Sequence, residues 1–94
     1  MITAKEARNE MEKYLKGRAK INKVLDFIDG VIRIACHNGE SHVFVKENSF
    51  NNLSAEQMEI VIIELADLGY KINPIYETND TIQMALNVGY NIEW

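Results

Sequence analysis

Cys36, His37 and His42 are the nucleophile and metal-ligand side chains that stand close together in this 94-residue chain. On a helix, adjacent residues point about 100° apart, so a thiol at 36 and an imidazole at 37 do not meet as nucleophile and base. Cys36 falls at the margin of an apolar helical face, where a small buried thiol is the expected role. His37, Glu40 and His42 could converge on a cation, but their spacing matches no zinc pattern and supplies no fourth ligand. The chain also contains no GxGxxG, no phosphate loop, no HExxH and no paired-carboxylate motif. These residues predict no catalytic site, no metal and no cofactor. The expected protein is a binding protein rather than an enzyme, since an enzyme would require a cleft with perturbed acid-base groups.

The remaining chemistry lies in charge. The net charge of -4 is divided unevenly: residues 1–36 hold eight Lys/Arg against five Asp/Glu, and residues 37–94 hold two against nine. Lys13, Lys16, Arg18, Lys20 and Lys23 cluster where two predicted helices meet. Lys16, Arg18, Lys20 and Lys23 are therefore the candidate ligand-binding residues. The acidic remainder opposes a nucleic-acid duplex, so the ligand expected here is a small anion such as a nucleotide. A plain solvated bend accounts for the same residues without any ligand.

Length and composition frame these residues. Ninety-four residues with 47% hydrophobic and 26% charged side chains suit one globular domain, spanning 1–94. One cysteine makes no internal disulfide, and MITAKEARNE lacks the apolar stretch of a signal peptide, so a reducing cytoplasm is expected. No run approaches the roughly 20 apolar residues that cross a bilayer.

The elements follow from spacing. Thr3 and Glu6 form a capping box that opens a helix over about 4–16, with Ala4, Ala7, Met11, Tyr14 and Leu15 on one stripe and Gly17 placed to end it. From Lys20, the positions Ile21, Val24, Leu25, Ile28, Val31, Ile32 and Ala35 predict a second helix, closed by Gly39. HVFVK at 42–46 reads as a strand, and ENSFNN as a loop. Ser54 and Gln57 form another capping box, and the helix they open runs to Gly69. KINPIYE reads as an outer strand, because Pro74 lacks an amide hydrogen and must face an edge or a bulge. Thr78, Asn79 and Asp80 supply a turn. From Ile82 to Trp94, seven apolar residues occupy every second position, as in a strand with one face on the core, and Trp94 is expected to plug the end of that core. A short helix over 81–87 is the competing reading. The fold class predicted is α+β, one two-layer domain in the order α-α-β-α-β-β, with a small antiparallel sheet packed against helices and the last strand central.

Some apolar side chains exceed what this core can take. On the third helix, Glu56, Glu59, Glu64 and Asp67 fall within an arc of about 140°, and Ile60 and Ile63 fall inside the same arc. Met58, Val61, Ile62, Leu65 and Leu68 occupy the opposite arc. On the second helix, Phe27 and Ile34 widen the apolar face to about 200°. Phe27, Ile34, Ile60 and Ile63 are therefore candidate interface residues, and a homo-oligomer is expected.

Met1-Ile-Thr-Ala-Lys-Glu-Ala-Arg8, Leu68-Gly-Tyr-Lys-Ile72 and Tyr90-Asn-Ile-Glu-Trp94 together resemble a loose group of small tailed-bacteriophage proteins, which typically open with ITAKEAR and end on an aromatic-apolar-tryptophan strand. Pro74 and the stretch 77–89 depart from the more compact hairpin of that group. The resemblance implies expression in the cytoplasm of an infected bacterium, where such accessory proteins commonly inhibit host or defence factors. The expectation is thus a non-enzymatic phage accessory protein that self-associates and binds a host protein or a small anionic or nucleotide signal. The alternative is a virion or assembly component.

Overall fold

Thr3 opens the first helix as its sequence predicts, its side chain accepting from the Glu6 amide at 3.1 Å. The computed structural model describes residues 1–79 and 84–94. They form helix α1 (Ala4–His37), strand β1 (His42–Lys46), a 3-10 turn (Glu47–Phe50), helix α2 (Ala55–Asp67), strand β2 (Lys71–Asn79) and strand β3 (Met84–Glu93). The class is α+β, with an antiparallel sheet packed against helices. The two expected N-terminal segments are joined as one continuous helix. Gly17 does not end the first of them because Lys16, Arg18, Ala19 and Lys20 all favour helix, and one internal glycine costs only about 1 kcal/mol. It serves instead as a gap where α1 crosses α2, since a Cβ there would lie 3.0 Å from the Gln57 amide nitrogen.

The sheet order is β1-β3-β2, all antiparallel, with β3 central as expected. Ile92 stands between Val43 and Ile72 in register, and Tyr90 between Val45 and Pro74. Pro74 thus lies on an edge strand, beside a bulge in which Ile75 pairs with Gly89 and Tyr76 with Asn87. Val88 is the extra residue. An inserted residue shifts the period-two pattern by one, so the apolar positions before and after Val88 no longer share a face. Ile92 is buried against the helices, whereas Leu86, opposite Glu77, is 46% exposed. The continuous one-faced strand expected from Ile82 onward is therefore broken at Val88. Met84–Asn87 is strand, which overturns the short helix over those residues. The rest of that alternative, together with Asp80 and Ile82, lies outside the described residues.

The core is formed by Ile21, Ile28 and Ile32 of α1, Val61 and Leu65 of α2, Val45 and Ile92 of the sheet, and Phe50. Phe50 comes from the segment expected to be a loop; its ring meets Tyr90 edge-on, with centroids 5.3 Å apart. Trp94 is 38% exposed, donates its amide to the Ser41 carbonyl at 3.0 Å and meets the Tyr70 ring edge-on at 6.2 Å. It closes a margin of the sheet and does not plug the core. Ser54 and Gln57 cap α2 reciprocally. Leu68, expected on the buried arc of α2, is exposed because the helix stops at Asp67.

Residues 4–16 of α1 are exposed throughout and extend beyond the rest of the protein as an arm. The radius of gyration is 16.6 Å, against about 12 Å for a compact domain of this length.

Candidate binding surfaces

Continuity of α1 fixes where the predicted cations point. Counting about 100° per residue, Lys16, Lys20 and Lys23 share one flank of the helix with Phe27 and Ile34, and Arg18 lies about 140° to 180° away. The five predicted ligand or interface residues of that flank form one line. Arg18 is removed from them. Its guanidinium pairs with both carboxylate oxygens of Glu64 on α2, with Nη2 to Oε2 at 3.1 Å. This fork holds the arm-side end of α1 on α2 and keeps the Arg18 pKa above its ordinary value, chiefly through the hydrogen bond.

Lys20 and Lys23 border a groove of about 460 Å³ between α1 and the turn after β1. Val24 and Phe27 complete its α1 wall, and Ser49 and Asn52 line the opposite side. The spacing 20, 23, 24, 27 is that of one helical face, so a single flank of α1 supplies both the cations and an apolar surface. Phe27, half exposed, separates this groove from a neighbouring one that contains Phe44, Lys46 and Asn48. The acids of this part of α1 face elsewhere: Asp26 and Asp29 line a cleft on the α2 side with Glu64. Ser49, Asn52, Phe44 and Lys46 were not singled out by sequence. The run ENSFNN is expected only as a loop, and folding brings it against residues 20–27.

The four predicted interface residues form two separate patches. Phe27 and Ile34 lie on the flank of α1 just described, and Ile34 is 64% exposed. Ile60 and Ile63 are exposed on the outer side of α2. Ile60 shares a cleft with Tyr14, Gly17 and Ile21, so its patch continues onto the arm. There Met11, Tyr14 and Leu15 are each more than half exposed. The helical stripe expected for these three is present, and among the described residues it is left largely uncovered.

Cys36 is exposed, contrary to the expected buried thiol. Ala35 takes the buried position at that turn, and the next residue is rotated out to solvent. His37 and His42 are both exposed. Among the described residues, no three His, Cys, Asp or Glu side chains gather as a metal site. No described helix is long and apolar enough to cross a membrane.

The chain matches no protein-family model, no curated protein and no solved structure.

Proposed function

We propose that the chain is a non-catalytic binding protein that works as a homo-oligomer, with the α1 arm as the contact between copies. The observation that carries this reading is the arm itself. Ala4, Ala7, Met11 and Tyr14 recur at 3, 4 and 3; Arg18 takes the next position of that pattern, and the spacing resumes through Ile21, Leu25, Ile28, Ile32 and Ala35. The second part of that seam faces the core, and the first part faces water. An isolated helix of that length is marginal in water, and each large apolar side chain left there forgoes roughly 1.5 to 3 kcal/mol of burial. A second copy is the occupant that matches in both length and pattern. A two-fold contact between arms covers this stripe on both copies at once, and Ile60 and Ile63 enlarge it.

The resemblance at Met1–Arg8, Leu68–Ile72 and Tyr90–Trp94 supports a phage accessory protein in the cytoplasm of a host bacterium, where an oligomer of this kind blocks a host or defence protein. Sedimentation velocity tests the assembly. The wild type sediments as a dimer or larger at tens of micromolar, and M11Q/Y14Q/L15Q as a monomer that still melts cooperatively. I60Q/I63Q retains the fold and weakens association, because a two-fold contact repeats each loss on both subunits. A wild type that is monomeric throughout that concentration range overturns the proposal, and an I60Q/I63Q protein that unfolds places those isoleucines in the core.

A further inference from the structure

The groove bordered by Lys20 and Lys23 has its own chemistry. Its volume of about 460 Å³ lies within the range of small-molecule sites, roughly 300 to 1,000 Å³. Lys20 and Lys23 rise from consecutive turns of α1 on one face, three residues apart. One turn further on, Phe27 presents a half-exposed ring, and Val24 lies between cations and ring as an apolar floor. The opposite wall is neutral and polar, with the Ser49 hydroxyl and the Asn52 amide. Among the described residues, no acid lines this groove.

From this arrangement we propose that the groove binds a nucleoside monophosphate or a molecule of that build, a phosphate joined to a planar ring. The phosphate sits between Lys20 and Lys23. The ring stacks on Phe27, and its edge or the sugar hydroxyls meet Ser49 and Asn52. A bare anion would leave Phe27 and Val24 uncovered, and an uncharged ring would leave the two lysines unused. A long polyanion is disfavoured because the protein is acidic beyond residue 36, and Asp26, Asp29 and Glu64 line the next cleft around α1. Arg18 takes no part, since Glu64 occupies its guanidinium. This site rests on the reading of the chain as a binding protein, and it is independent of self-association through the arm.

The test is a titration of the full chain with AMP, GMP and UMP, and separately with inorganic phosphate, followed by amide chemical shifts. At least one nucleotide is expected to bind saturably below millimolar concentration and to shift Val24, Phe27, Ser49 and Asn52. K20Q/K23Q lowers that affinity by about tenfold or more, the loss of two charge-assisted contacts. F27L, which keeps the bulk without the aromatic face, weakens nucleotide but not phosphate, and R18Q leaves both unchanged. Sedimentation of the same samples separates the two proposals, because K20Q/K23Q keeps the wild-type oligomeric state. No saturable nucleotide binding, shifts confined to the arm or to β2, or equal affinity for phosphate and nucleotide would each overturn the site. An oligothymidylate binding over a hundredfold more tightly than any mononucleotide would also overturn it, by showing a polymer ligand.

Discussion

Deletion of residues 91–94 yields a protein without a cooperative thermal transition. β3 is the central strand, so residues 91–93 are lost to both neighbours at once. On one side β1 loses the partners of His42, Val43 and Phe44, and on the other β2 loses those of Lys71, Ile72 and Asn73. Ile92 is 1% exposed and packs between Val43 and Ile72 beneath the helices, where removal of such a side chain costs about 2 to 5 kcal/mol. The broken ladder adds to that loss, and a domain of this size has only about 5 to 15 kcal/mol in total. Trp94 contributes less than its size suggests, because more than a third of it is in water and it contacts Tyr70 at the margin of the sheet. Trp94→Ala therefore costs about 1 to 2 kcal/mol, a moderate fall in Tm with the transition intact. Circular dichroism melts of both variants decide the matter. A truncated protein that melts cooperatively at the wild-type temperature would remove Ile92 and the end of β3 from the stabilising core.

What was legible in the sequence was whatever a local period encodes. Ile21, Ile28 and Ile32 are spaced as one helical face and are buried, and Val61 and Leu65 fall on the arc predicted to be inside. Ser54 and Gln57 announced the start of α2 through chemistry that needs no partner beyond four residues. The errors have one physical origin, in that each depended on residues far away in the chain. Gly17 read as a stop because helix ends favour glycine, but it lies within a continuous helix, where Gln57 of another helix comes close to it. Trp94 read as core because its strand alternates perfectly, but β3 ends at Glu93 and the ring settles at the margin of the sheet against Tyr70. The surplus apolar character of Phe27, Ile34, Ile60 and Ile63 was visible, and all four are exposed. The groove at Lys20 and Lys23 was half visible, since its lysines are clustered in sequence and its Ser49 and Asn52 wall arrives from a distant turn.

Gly89→Ala is expected to be among the most damaging single-methyl additions in the protein. Gly89 is buried in the central strand, between Lys46 on β1 and Ile75 on β2. A Cβ built there would press on the Val45 carbonyl oxygen and come within 2.6 Å of the Phe44 ring. The ring could rotate away, but the carbonyl belongs to the strand paired with β3 and yields only if the sheet shifts. Overpacking of this kind costs typically 1 to 3 kcal/mol, and a clash against backbone places the change at the upper end. For a domain of this length, that lowers Tm by about 10 to 20 °C. Pairing the substitution with Phe44→Ala separates the two contacts. The ring's share of the clash is relieved in F44A/G89A, so this protein melts above the temperature expected if the two single losses simply added. It stays below F44A alone, because the Val45 carbonyl remains in the way. Equal melting of G89A and wild type would show that the strands at this point separate without cost, and equal melting of F44A/G89A and F44A would assign the whole penalty to the ring.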